Sequence, residues 1–383
     1  MILTQCAVCA TELGLTLGKK CGRCSTRYCG AECQVQHWKE GGHDTLCKKI
    51  KKAGGAEQYN ANKKYAEAVS VAAEACAEDT KGQTCFICTQ ALHWKTKEGL
   101  VRGCACRGTA GFAHVSCLAE QAKILYDEGE ENNLGPKVLT ERLKRWSTCS
   151  LCEQKYHGVV ACALGWACWK MYVGRQETDE ARRNAMGMLA NGLSAASYNE
   201  CALEVYEANL ATLGRLGLLA SQHAAITKTN MCTVYSKLGR DEEALALEQT
   251  IYSDTLASRG NIHDARTLIL ALNLSASMLN VAASKLEVNR YREAQSFMSD
   301  IIPISRRVLG PEGDTTLKLR GLHAKALFEA AGSRADVCQA VTELEEIGRT
   351  ARRRYGVSHP QTGLIQRTLD RAKAKLALLD AGA

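Results

Sequence analysis

Proline is nearly missing from this chain, with four residues in 383, which argues against long disordered linkers. Aromatic residues are scarce at 5 % while alanine is plentiful, a balance that favours helices over sheets. No long apolar run is present: the longest, Val159 to Trp169, has eleven residues and ends at Lys170. A helical bilayer crossing needs about 20, so no membrane span is expected and the chain should be soluble. The start Met1-Ile2-Leu3-Thr4-Gln5 reaches Cys6 at once, so no signal or transit peptide is expected. At 383 residues the chain is too long for one small domain and suits two or three.

Cysteine is what the sequence has in excess. Of twenty cysteines, fifteen lie in the first 152 residues, mostly in C-x-x-C pairs interleaved with histidines. A secreted disulfide scaffold does not need placed histidines, whereas zinc in a reducing compartment does. An intracellular protein of cytoplasm or nucleus is therefore expected.

The densest stretch runs from Cys85 to Cys152. It holds Cys85-x-x-Cys88, Cys104-x-Cys106, His114-x-x-Cys117 and Cys149-x-x-Cys152, the donors that two tetrahedral zinc ions require. This ligand order also fits a PHD finger, but the single-residue gap at Cys104-x-Cys106, with His114 eight positions later, decides against it. Together with Cys106-Arg107-Gly108-Thr109-Ala110, Cys117-Leu118, Trp146 and Tyr156, it resembles the RING-CH, or RING-variant, zinc finger over residues 85–152. The resemblance implies a cross-brace with Cys85, Cys88, His114 and Cys117 on one zinc. Cys104, Cys106, Cys149 and Cys152 would take the second. It also implies recruitment of a ubiquitin-conjugating enzyme, with catalysis by positioning and no catalytic residue of its own. Ile87 matches the family's docking residue and Trp146 the second apolar contact. The plain alternatives are a packing residue for Ile87 and a zinc lid for Trp146. Where many active members carry a basic residue, Cys152 is followed by Glu153 and Gln154, with Lys155 one step later.

Earlier in the chain stand Cys6-x-x-Cys9, Cys21-x-x-Cys24, Cys29, Cys33, His43 and Cys47. Eight donors in 42 residues leave little room for a core, so metal must supply folding free energy. The wording Tyr28-Cys29-Gly30-Ala31-Glu32-Cys33-Gln34 and His37-Trp38-Lys39-Glu40 resembles a MYND zinc finger over residues 6–47. That family interleaves its ligands, which implies Cys6, Cys9, Cys29 and Cys33 on one zinc. Cys21, Cys24, His43 and Cys47 would hold the other. Gly41-Gly42 lengthens the gap before His43, which leaves His37 as an alternative ligand; His43 is preferred because His43-x-x-x-Cys47 puts both donors on one helical face. Family members dock proline-containing peptides, and the matching positions are Gln34 and Trp38. Trp38 as a simple cover over the zinc core is the alternative.

Between the modules, Lys48, Lys49, Lys51 and Lys52 read as a solvated helix end, Tyr59 to Ala77 as a helix, and Cys76 as a spare thiol. Val159 to Val173 is apolar all round, as a buried connector helix would be. Beyond it lies a degenerate repeat whose aligned alanines, Ala202, Ala244, Ala294 and Ala340, are spaced by 42, 50 and 46 residues. Twelve positions before each stand Ala190, Cys232, Ala282 and Phe328. The loops Leu309-Gly310-Pro311-Glu312-Gly313-Asp314-Thr315 and Tyr355-Gly356-Val357-Ser358-His359-Pro360-Gln361-Thr362 resemble tetratricopeptide repeats of the kinesin light chain type. Such repeats imply a solenoid with a protein-binding concave face, capped here by Gln361 to Leu379. His223, His263 and His323 lack cysteine neighbours and are expected at the surface or in loops. No phosphate loop, Ser-His-Asp set or paired carboxylates stand in this half.

The formal charge of +8 falls to +2 once two four-thiolate sites (−2 each) and two three-thiolate sites (−1 each) are counted, so no nucleic-acid partner is favoured. The expected fold is mainly α, with two small zinc modules followed by an α-solenoid of paired antiparallel helices. The expected domains are a first finger at 1–52, a helical connector at 53–84 and a second finger at 85–155. A connector helix at 156–177 and repeats at 178–383 follow. The expected function is a four-zinc adaptor whose RING-CH module recruits a conjugating enzyme to a client held by the repeats or the first finger. The alternative is a non-enzymatic scaffold.

Overall fold

The structure, a computed structural model, describes residues 4–14, 17–259, 262–357 and 359–381. Met1 to Leu3 and Ser358, which entered the reading of the start and of one repeat loop, lie outside the described residues. The chain divides into two compact units, Met1–Asn230 and Met231–Ala383. The division falls within the helical half.

In the first unit a two-stranded antiparallel sheet, Lys19–Lys20 (β1) and Arg27–Tyr28 (β2), pairs Lys19 with Tyr28. Short helices Ala31–Lys39 (α1) and His43–Lys52 (α2) follow. The connector helix is Ala56–Ala75 (α3). The second cysteine-rich module carries Val115–Glu131 (α4), Pro136–Leu143 (α5) and a 3-10 turn at Lys144–Trp146. Then come Gly158–Tyr172 (α6), Glu180–Ala195 (α7) and Asn199–Arg215 (α8).

Helix α6 is the piece around which this unit is built. It is apolar on all sides because α3, α4 and α7 each pack against it. Two glycines let α6 and α7 touch backbone to backbone: a Cβ on Gly165 would stand 2.9 Å from the Met188 carbonyl, and one on Gly192 would stand 2.5 Å from that of Ala161. Ion pairs fasten the rim, with Arg182 reaching Glu57 across 3.0 Å and Arg175 forking onto Glu130 at 2.8 and 2.9 Å.

Helix α9 (Gln222–Lys237) spans the boundary between the units. The second unit continues with Asp241–Arg259 (α10), Ala265–Lys285 (α11), Val288–Leu309 (α12), Asp314–Ala330 (α13), Arg334–Tyr355 (α14) and Pro360–Ala381 (α15). From α10 onward each helix packs on the next. Their antiparallel sense follows from the pairs at their ends: Arg334, which opens α14, meets Asp380 near the end of α15, and Arg353 near the end of α14 meets Glu312 just before α13. The aligned residues, small at every position but Phe328, are the packing points. Ala202, Ala244, Ala294 and Ala340 fall on α8, α10, α12 and α14, Ala190, Cys232, Ala282 and Phe328 on α7, α9, α11 and α13, and all eight are buried.

One helix passes the length and composition test for a membrane span without overturning the expectation, and one expectation, on the histidines, needs correction. Helix α11, at 21 residues, is long and apolar enough to cross a membrane, although more than half of its apolar window is buried inside the unit. Ser275, Ser277 and two asparagines interrupt its apolar residues, so a search for unbroken runs passes over it. His223 and His323 are half-buried helical residues and not loop residues, His223 accepting from Asn209 at 3.1 Å and His323 lying 3.2 Å from the Ser299 hydroxyl. His263 is exposed between α10 and α11.

Candidate functional site

All four Cys-x-x-Cys pairs fold in the same way. The residue after the second cysteine, namely Ala10, Ser25, Thr89 or Glu153, has a φ of +57°, +61°, +60° or +55°. Its amide donates back to the carbonyl of the first cysteine, at 3.2, 3.0, 2.8 and 3.0 Å respectively. Left-handed backbone at a non-glycine residue costs on the order of 1 kcal/mol each time, so something must over-determine it. Within the pair the chain also aims amides at sulfur, Ile87 at Cys85 and Leu151 at Cys149, both at 3.4 Å.

These knuckles bring sixteen donors into four groups: Cys6, Cys9, Cys29, Cys33; Cys21, Cys24, His43, Cys47; Cys85, Cys88, His114, Cys117; and Cys104, Cys106, Cys149, Cys152. Edges such as Cys9 to Cys29 at 3.5 Å, Cys21 to Cys47 at 3.8 Å and Cys106 to Cys149 at 3.8 Å are those of a tetrahedron. A zinc with bonds of ~2.3 Å to sulfur sets such edges at about 3.8 Å, so each group fits one zinc ion and the chain fits four. Among bare thiols the groups conflict. A hydrogen bond from Thr11 brings Cys9 down to about 6, while its bond to Cys29 pushes Cys33 up to about 12 and burial pushes Cys47 up to about 11. Thiols crowded around one point cannot all ionise alone; a divalent ion held by each group would remove the conflict and favour the thiolates.

His114 is oriented by what lies behind it. His114 donates through Nε2 to the Ala91 carbonyl at 3.3 Å, which turns Nδ1 toward Cys88 and Cys117 at 3.4 and 3.6 Å. His43 turns Nε2 toward Cys24 at 3.4 Å. His37 is not part of the group, since its Nδ1 is held by the Tyr28 hydroxyl at 3.0 Å. The Gly41-Gly42 insertion makes this possible: Gly42 has φ +68°, and a Cβ on Gly41 would stand 2.3 Å from the His37 ring.

Residues 6–47 match the family model of the MYND finger, and residues 85–152 match that of the RING-variant domain. The chain carries a MYND finger followed by a RING-variant domain. No curated protein matches this chain. Among solved structures it is similar to two from Podosopora anserina, described as kinesin light chain with nearly identical TPR-like repeats. Each is 16 % identical with a TM-score of 0.41, covering 63 % of this chain and 97 % or 98 % of the other. BtubC (BKLC) from P. vanneervenii is 15 % identical with a TM-score of 0.38, covering 70 % of this chain and 91 % of its own.

In the MYND finger, Gln34 and Trp38 share a face of α1, and Trp38 is 42 % exposed beside the His43 ring at 5.8 Å. In the RING-variant domain, Ile87 is 37 % exposed between its two ligands. Trp146 is a correction. It is only 2 % exposed, because the 3-10 turn directs it inward against Tyr172, with ring centroids 6.0 Å apart. A side chain so enclosed has no surface to offer a partner, so Trp146 is a packing residue.

Sequence reading gave no role to an exposed tryptophan of the same domain. Trp94 is 69 % exposed, and with Ile87, Gln121, Ile124 and Leu125 it lines a crevice of about 440 Å³ beside the first zinc group of this domain. A single tryptophan in a lysine-rich turn has no periodic partner, so pattern alone gave no signal. Glu98 was missed for the same reason: its carboxylate accepts from the Ser116 amide and hydroxyl at 2.7 and 2.8 Å and satisfies the start of α4.

Proposed function

We propose that this protein is an intracellular adaptor in which the RING-variant domain recruits a ubiquitin-conjugating enzyme. The MYND finger and the paired helices hold the client. The observation that carries the reading is Ile87, an apolar side chain kept in solvent by the zinc knuckle on either side of it. The domain then acts by positioning: it offers a rigid apolar surface and leaves the covalent chemistry to the enzyme's own thioester. At the MYND finger, Gln34 and Trp38 offer a half-open aromatic face suited to a proline-containing segment.

The test is an autoubiquitination assay of the full zinc-loaded chain over a panel of conjugating enzymes. Chain formation that is lost in Ile87→Ala, with four zinc ions retained, is the expected result. No transfer and no binding with any enzyme would overturn it. A second reading, a scaffold that binds without promoting transfer, is favoured by Glu153. This residue is exposed and acidic just after the last ligand. Binding without transfer would select that reading.

A further inference from the structure

We infer that Trp94 is the second apolar anchor of the docking surface of the RING-variant domain, and that the turn carrying it selects among partners. The inference rests on the reading that this surface receives a ubiquitin-conjugating enzyme.

The turn is rigid. The His93 ring is buried and its Nδ1 accepts from the Thr96 amide at 3.1 Å and the Thr96 hydroxyl at 2.8 Å. The Lys97 amide donates to the His93 carbonyl at 2.9 Å, and the His93 amide donates to that of Glu98 at 3.0 Å. Lys97 itself is left-handed at φ +58°. Glu98 is in turn clamped to Ser116, so the turn is fastened to the start of α4. The buried His93 packs edge-on against the ligand His114, with ring centroids 5.3 Å apart.

What this framework presents is an indole in water. Trp94 makes only a glancing ring contact with His93, at 6.1 Å and tilted by 42°. A tryptophan that leaves most of its surface exposed while its backbone is fixed on every side has the form of an interface hot spot: large apolar area, little entropy left to lose. It faces the crevice it shares with Ile87 and Ile124, so it extends the surface already assigned to the conjugating enzyme and does not form a separate one. Lys95 and Lys97 flank it, and Glu120 lines the opposite wall; all three are exposed. An apolar centre with a rim of opposite charges on two sides favours partners whose own charges alternate to match.

The experiment measures binding of the full zinc-loaded chain to each conjugating enzyme of a panel, with zinc content and melting temperature recorded for every variant. Trp94→Ala should weaken the best partner at least about tenfold with zinc content unchanged. Ile124→Asp, on the other wall, should do the same. Reversing Lys95 and Lys97 to glutamate should reorder the panel. If Ile87→Ala abolishes binding while Trp94→Ala and Ile124→Asp stay within about twofold, the inference fails and the functional reading stands. If the native chain binds no enzyme, the functional reading fails and the inference falls with it.

Discussion

Gly111 lies against Cys106 so closely that a Cβ placed on it would stand 2.6 Å from the cysteine Cβ and 2.9 Å from its sulfur. The same Cβ would stand 3.3 Å from the sulfur of Cys104, and the backbone there has φ +84°. The single-residue gap between these two ligands therefore requires glycine five positions on.

Gly111→Ala should cost about 3–5 kcal/mol, combining left-handed strain with displacement of a metal ligand. Native mass spectrometry should show fewer than four zinc ions. Gly108→Ala is the control, since Gly108 is also left-handed but has no atom within 4 Å of its Cβ position. It should cost only about 1 kcal/mol and keep every ion.

The two histidines of the MYND finger should behave oppositely. His43→Ala removes a donor from its group and should lose one zinc and unfold the finger. His37→Ala removes the bond from Tyr28 and should cost about 1 kcal/mol with zinc content unchanged.

In the second unit Glu248 is only 3 % exposed and one of its carboxylate oxygens has no hydrogen-bond partner. Burial raises it to about 7 from an ordinary 4.5, partly offset by a bond from Cys232. The folded state therefore favours the protonated form. Its contribution is complete below pH 4.5, declines as pH rises, and is gone above about 7, a loss of roughly 3 kcal/mol in all. The opening free energy of α10, from amide hydrogen exchange corrected for its intrinsic pH dependence, should fall between pH 4.5 and about 7, and Glu248→Gln should flatten that dependence. An unchanged slope in the variant would show that another group sets it.

Helix contact in the first unit can be tested at Gly192. Alanine there would press on the Ala161 carbonyl and should destabilise by about 2–4 kcal/mol, read as a lower melting temperature. Gly187, on the same helix with open space around it, should gain roughly 0.5–1 kcal/mol as alanine.

The ligand groups were legible because zinc imposes fixed donor types at short spacings, and the family resemblance then pairs the donors within each finger. The repeat register was legible for a related reason: close helix packing demands small residues, and Ala202, Ala244, Ala294 and Ala340 recur where it does. Trp146 misled because its position in the chain does not reveal which way a 3-10 turn points it. Trp94 was hidden for the converse reason, since its exposure comes from the bonds of His93 and Thr96 and not from any period. The close approach of Gly165 and Gly192 was equally invisible, as a glycine's need for space depends on the neighbouring helix.

Two modules, each with donors for two zinc ions, hold together the cysteine-rich part of the first unit. The direct measurement is the intact mass of the full chain under native conditions, purified without added metal and kept reduced. Four zinc ions per chain, falling to three or fewer with any one of Cys9, His43, Cys88 or Cys106 replaced by alanine, is the result predicted. Two ions or none in the native chain, with its helices and fingers folded, would contradict it.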